Sequence, residues 1–340
     1  MISPPRGGVI PAKSLVAFAG CDTEEEALRS FQDAYDLGGV VSFTGKVDWY
    51  YAEGKSDEES QIWADWQWQG VAVDYFNLET FPQLDPYQTR RGPIPYLPPE
   101  IQYNSFADPL LREAYKRAAL LTVQLQQPRW INLAMEINSY YEQRAWDFPN
   151  FVSLFKETRD QIKAISPDTM VFVSFQYELL LGIPGGRCGQ PEHEPHWELF
   201  GMFEPDIDAI AITTYPMVTY CPTFFPDPDN IAPDYYRQIE DHTDLPIVFA
   251  EIGWPCDPTY NGSRLSQWRY IARLPQLTSG MNLVLANWYF LNNATGYGHF
   301  FESLGLVDTD QFRKPSFFFW KHAWSGTFLD AWREWREYAR

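Results

Sequence analysis

The sequence has no apolar run approaching the roughly 18 residues that cross a bilayer, so it predicts no membrane-spanning helix. Its opening, Met1-Ile-Ser-Pro-Pro-Arg-Gly-Gly, lacks the apolar stretch of a secretory signal. A strand candidate begins so soon afterwards that the terminus reads equally well as the trimmed end of a secreted protein. Localisation stays open on these grounds, with a secreted or extracytoplasmic site favoured. Positive charge is scarce: 26 Lys and Arg against 45 Asp and Glu give a formal net charge of −19. Such a surface repels phosphate backbones and anionic membranes, which excludes nucleic acid as an expected partner and favours neutral ligands over polyanions. Only four cysteines occur, Cys21, Cys188, Cys221 and Cys256, and none has the spacing of a zinc site. Cys188, Cys221 and Cys256 fall in consecutive loops after candidate strands, where a disulfide is geometrically possible and free thiols are the equal alternative. A Gly-rich phosphate loop and a serine elbow are both missing, which counts against nucleotide enzymes and esterases. The run Glu192-His193-Glu194-Pro195-His196 has metal-ligand residue types, but Pro195 forbids a regular helical i, i+4 pair, so a solvated loop is expected and no metal.

Aromatics, by contrast, are abundant: 14 Trp, 20 Tyr and 24 Phe make up 17% of the chain. Part of that surplus is core, and part suits flat partners such as sugar faces. Short apolar, β-branched runs alternate with amphipathic stretches from end to end, the pattern of a parallel sheet with crossover helices. Eight such units can be counted in 340 residues, which predicts a single (β/α)8 TIM barrel with long loops at one end. Strand candidates start at Leu15, Gly39, Val71, Trp130, Met170, Ala209, Leu245 and Asn282. Helices are expected from Thr23 to Tyr35, Asp57 to Gln67, Pro109 to Gln126, Asn150 to Ile165, Pro233 to His242, near Ser263 to Ile271, and over Lys314 to Arg340. The proline-dense segment 79–106 reads as a long loop at the C-terminal end of the strands. Neither an internal repeat nor a composition shift suggests a second domain.

Two strand candidates end in glutamate: Trp130-Ile-Asn-Leu-Ala-Met-Glu136 and Leu245-Pro-Ile-Val-Phe-Ala-Glu251. A carboxylate closing an apolar strand is costly to bury without a partner or a task. By the count these are strands four and seven, and both residues belong to the C-terminal ends, where barrel active sites assemble. Retaining glycoside hydrolysis needs such a pair, about 5–5.5 Å apart, one as acid and one as nucleophile. The plain alternative is two structural ion pairs. Around the same ends lie Tyr215, Gln176, Tyr177, Asn138, Trp288, Asp48, Trp49 and Asn77, each a candidate sugar contact whose alternative is packing or solvation. Glu178 is the rival carboxylate.

Strand four with its terminal Glu136, strand seven reading Ala250-Glu251-Ile-Gly-Trp254-Pro255, and strand eight ending Ala286-Asn287-Trp288-Tyr289-Phe290 together resemble the clan A glycoside hydrolases. The strand-seven motif is similar to that of the β-1,4-galactanase and β-1,3-glucanase families. The resemblance implies Glu136 as acid/base, Glu251 as nucleophile, Tyr215 as the nucleophile's hydrogen-bond partner and Trp288 as the floor under the bound sugar. It also implies a carbohydrate substrate, no cofactor, and a monomer or small homo-oligomer. Clan members place Asn directly before the acid/base, whereas Met135 stands here; Asn138 and Asn132 are the nearest amides able to replace it. A carbohydrate-binding barrel without turnover and a transglycosylase using the same glutamates are therefore the alternatives.

Overall fold

The computed structural model describes residues 10–17, 19–87, 93, 94, 96–183, 193–217, 225–296 and 298–340. Cys188 and Cys221, two of the three cysteines for which a disulfide and free thiols were equal expectations, lie outside the described residues, while Cys21 and Cys256 carry free thiols. In chain order the elements are β1 (Ala12–Val16), α1 (Glu24–Leu37), β2 (Val40–Lys46), α2 (Gln61–Phe76), β3 (Glu79–Asp85), α3 (Pro109–Gln126), β4 (Trp130–Asn132), α4 (Ile137–Arg144), α5 (Phe148–Ile165), β5 (Met170–Phe172), β6 (Ser174–Gln176), α6 (Tyr177–Leu180), α7 (Glu198–Phe203), β7 (Ile210–Thr214), β8 (Ile247–Ile252), α8 (Arg264–Leu277), β9 (Leu283–Phe290), α9 (His299–Glu302), α10 (Pro315–His322) and α11 (Phe328–Tyr338). The strands form one sheet in the order β5-β4-β3-β2-β1-β9-β8-β7-β6. Its two ends, β5 and β6, are halves of a single run interrupted only at Val173, so the sheet closes on itself. The fold is a parallel (β/α)8 barrel in which the fifth strand is split.

The chain divides into two compact units. The first comprises Met1–Val41, Tyr177–Pro195 and Thr213–Arg340. In it β1 pairs in parallel with β2 (Ser14 with Val40) and with β9 (Ser14 with Asn287), and β8 pairs with β9. Every residue of β8 is buried, as expected for a parallel strand covered on both faces. Helix α1 starts at a capping box: the Thr23 hydroxyl accepts from the Glu26 amide at 3.2 Å and the Glu26 carboxylate accepts from the Thr23 amide at 3.1 Å. Lys13 on β1 donates to the carbonyls of Trp320 and Lys321 at the end of α10, which ties the first strand to a late helix.

The second unit comprises Ser42–Gln176 and His196–Ile212. Here β3 pairs with β4 and β4 with β5, all parallel. Asp108 caps α3 through the Leu110 and Leu111 amides, and Pro109 fills the first helical position, where no N–H is needed. A polar ladder crosses the interior of the strands: Gln83 donates to Ser42 Oγ (3.1 Å), and Asn132 donates to Gln83 Oε1 and to Ser174 Oγ (3.0 Å each).

Several expected elements need correction: strand four stops at Asn132 rather than reaching Glu136, and the stretch Lys314 to Arg340 is two helices, α10 and α11. The run Val71 to Phe76, expected as strand three, is the last part of α2, and the third strand is β3, inside the segment expected as loop. That loop begins only after Asp85. The helix expected over Pro233 to His242 is a turn followed by the 3-10 turn Arg237–Asp241. Among the described residues no helix is long and apolar enough to cross a membrane.

Candidate active site

Within the first unit, Glu251 occupies the penultimate position of β8, 3% exposed. The hydroxyl of Tyr215, the residue directly after β7, donates to Glu251 Oε2 at 2.7 Å. A phenol donating to a buried carboxylate favours its ionised form and fixes which oxygen points elsewhere. The Tyr215 ring is itself held edge-on by Phe300 (5.4 Å between centroids) and Phe301 (6.0 Å). Gly253 makes room for this arrangement, since a Cβ there would meet Leu304 Cδ2 at 2.9 Å and Tyr215 Cε1 at 3.0 Å. Asn287 on β9 donates to the Ala250 carbonyl at 2.7 Å and so pins the backbone beside Glu251.

Behind Tyr215 lies Glu178, fully buried in the first turn of α6. Its Oε1 accepts from Thr214 Oγ1 at 2.6 Å and from the Tyr235 hydroxyl at 3.0 Å, and the Tyr215 amide approaches Oε2 at a long 3.5 Å. Burial pushes the Glu178 carboxyl up to about 7, against the opposing pull of these donors.

Within the second unit, Glu136 sits just beyond the C-terminal end of β4 and is half-buried. It is the residue before α4 and holds a left-handed backbone, φ 50°. The bend is fastened on both sides: Met135 N donates to the Leu84 carbonyl (3.1 Å), Ser174 N to the Ala134 carbonyl (3.0 Å), and Glu136 N to Ser174 Oγ (3.1 Å). The polar ladder of the strands therefore ends at the backbone of Glu136.

The remaining candidates fall mostly into packing roles. Trp288 is fully buried; its indole donates to the Leu304 carbonyl at 3.0 Å and its ring lies against Tyr270 of α8 and Trp320 of α10. It faces the helix layer, so it has no surface on which a sugar could rest. Trp49 is likewise buried and stacked on Tyr115 of α3, at 6.4 Å. Asp48 accepts from the Gln61 amide at the start of α2. Asn77 is the exposed C-cap of α2, in a left-handed conformation, and precedes β3; it therefore belongs to the opposite end of that strand from the one expected. Asn138 is buried and clasps the backbone of Gln176, donating to its carbonyl (2.9 Å) and accepting from its amide (2.8 Å). With Asn132 engaged in the ladder, both amides nearest to Met135 have structural partners. Tyr177 is fully buried and donates to the Tyr235 carbonyl at 2.5 Å. In the histidine loop, His196 lies 2.7 Å from Glu198 and 3.4 Å from Glu142.

Thr214, Tyr235, Ser174, Gln83 and Gly253 adjoin the candidate carboxylates and were missed by sequence reasoning. Gly253 alone carried a signal, as the glycine of the Glu-x-Gly-Trp-Pro motif; the others act through hydrogen bonds between residues 36 to 57 positions apart, which no local pattern marks.

No protein-family model matches the sequence, and no curated protein matches it. Solved structures do match. The exo-β-1,4-mannosidase Op5Man5 from Opitutaceae bacterium strain TAV5 superposes with a TM-score of 0.68 at 17% identity, over 95% of this chain and 60% of that one. A family 39 glycoside hydrolase from the gut symbiont Bacteroides cellulosilyticus WH2 gives 0.57 at 17% identity, over 94% of this chain and 64% of that one. The glycoside hydrolase family 17 β-1,3-glucanosyltransferase from Rhizomucor miehei gives 0.56 at 10% identity, over 90% and 96% of the two chains. The chain spans less than two thirds of the length of the first two. Its (β/α)8 barrel is the fold that these glycoside hydrolases share.

Proposed function

We propose that this protein is a retaining glycoside hydrolase that cleaves β-glycosidic bonds in a neutral oligo- or polysaccharide, with Glu251 as nucleophile and Glu136 as acid/base. The observation that carries the reading is the hydrogen bond from Tyr215 to Glu251 at the C-terminal end of β8. A nucleophilic carboxylate must stay ionised and present one oxygen to the anomeric carbon, and a buried phenol donor to the other oxygen serves both needs. Glu136, at the corresponding end of β4, would protonate the leaving oxygen as Glu251 attacks. Glu136 would then take a proton from the water that hydrolyses the glycosyl-enzyme, returning both groups to their starting states. The reaction needs no cofactor, and the acidic surface suits an uncharged substrate. The fold shared with an exo-β-1,4-mannosidase and a β-1,3-glucanosyltransferase supports carbohydrate chemistry of this general kind.

The test is intact-mass spectrometry after incubation with a panel of 2-deoxy-2-fluoro glycosides, which stall the glycosyl-enzyme. A sugar-sized gain that maps to Glu251 is the expected result and names the sugar cleaved. Binding of sugars without any mass gain, and without turnover of unmodified β-glycosides, would replace this reading with a non-catalytic carbohydrate-binding barrel. Product analysis at high acceptor concentration separates hydrolysis from transglycosylation, which uses the same two glutamates.

A further inference from the structure

We infer that Glu178 is a positioning residue for the candidate nucleophile: it fixes the end of β7, and through Tyr215 the orientation of Glu251. Thr214 and Tyr215 are consecutive. Glu178 holds the first by its hydroxyl at 2.6 Å and draws the amide of the second to 3.5 Å, while the hydroxyl of the second reaches Glu251 Oε2 at 2.7 Å. The anchor itself is braced. Tyr235 donates to the same Glu178 oxygen as Thr214, Tyr177 donates to the Tyr235 carbonyl, and the hydroxyls of Tyr236 and Tyr270, 2.7 Å apart, continue the network to Thr214 (3.3 Å). A purely structural site of this burial is filled more cheaply by leucine or glutamine, because a carboxylate must be stripped of water first. What the carboxylate adds is strength and direction, since donors to an ionised acceptor bind shorter and tighter than donors to a neutral one.

The group also changes charge in a useful range. Its pKa of about 7 means that Glu178 passes from neutral to ionised near neutrality, while burial holds the facing phenols of Tyr177, Tyr235, Tyr236 and Tyr270 above that range and therefore neutral. When Glu178 is protonated, one carboxyl oxygen must donate, and the grip on Thr214 and Tyr215 loosens.

The role of Glu251 as nucleophile is taken from the proposed function, so the experiment reads geometry and turnover separately. Protein labelled with 13Cζ-tyrosine is followed by NMR across pH 5 to 9, with the Tyr215 resonance assigned by its loss in Tyr215→Phe. In the wild type that resonance should move with a midpoint near neutrality. In Glu178→Gln it should be displaced and flat, and Glu178→Asp should restore part of the movement. On a cleaved β-glycoside, Glu178→Gln should lower kcat about tenfold with KM within about twofold, and the neutral inflection of kcat should vanish. An unchanged Tyr215 resonance in Glu178→Gln at every pH overturns the inference even if the protein is a hydrolase. A displaced resonance in a protein that cleaves no β-glycoside upholds the link from Glu178 to Tyr215 and overturns the hydrolase reading instead.

Discussion

Tyr215 and Gly253 are where single atoms decide the behaviour of Glu251. Tyr215→Phe removes one hydroxyl and leaves the ring between Phe300 and Phe301. A hydrogen bond to a charged, buried acceptor is worth about 1.5–3 kcal/mol, so the variant should lose stability of that order and kcat/KM on a cleaved glycoside should fall roughly 10- to 100-fold. Gly253→Ala inserts a methyl group between Leu304 and the Tyr215 ring. Leu304 can yield, but the ring moves with it, so the variant should fold, lose about 1–3 kcal/mol of stability to overpacking, and lose turnover in the same direction as Tyr215→Phe. Denaturant melts and kinetics on one preparation check both effects. Trp288 is the contrasting case: its sequence position at the end of the eighth strand suggested a sugar platform, yet side chains alternate between the two faces of a strand, and this one points into the helix layer. Position in sequence located the strand end but not the face.

At the scale of elements, the start of α4 carries an instructive strain. Glu136 sits at φ 50°, where a side chain costs roughly 1–2 kcal/mol and glycine pays nothing for its Cβ. On the proposed mechanism Glu136→Ala and Glu136→Gly both lose the acid/base, but the glycine variant should be at least as stable as the alanine variant in urea melts. The reverse order would show that the bend is not strained. Helices with clean signals were legible to the residue: α3 has Asp108 and Pro109 at its start and spans Pro109 to Gln126 as expected. The third unit was not legible, and the reason lies on the surface of α2. Trp68, Val71 and Tyr75 point outward, 46%, 68% and 79% exposed, while Ala72 and Val73 are buried, so the helix is apolar on both faces and its 3.6-residue rhythm is lost. The true strand, β3, hides behind Pro82, a residue that normally argues against an interior strand.

For the molecule as a whole, the buried Glu178 sets a pH dependence of stability. Its folded pKa, about 7, lies above the ordinary 4.5, so between those values the native state binds more protons than the unfolded one. This contribution to stability is complete below about pH 4.5 and is lost as pH rises through 7. Glu178→Gln should therefore flatten that decline and exceed the wild type above pH 7 by up to ~3 kcal/mol, a difference measurable by urea titration at pH 5 and pH 8. The barrel itself was readable because alternation of strand and helix is a property of the entire chain and survives a misplaced strand. The pairing of Thr214 and Tyr235 with Glu178 was not, because it joins residues 36 and 57 positions away.

The bond from Lys13 to the end of α10 also bears on how the chain is made. The first unit draws on both Met1–Val41 and Thr213–Arg340, and β1 needs β9 and α10 before its pairing and its lysine are satisfied. The second unit, nearly all of it in Ser42–Gln176, emerges from the ribosome long before that. During synthesis β1 must wait, half-paired, for the final helices, and any chain arrested ahead of Pro315 would hold a lysine whose carbonyl partners have not yet been built.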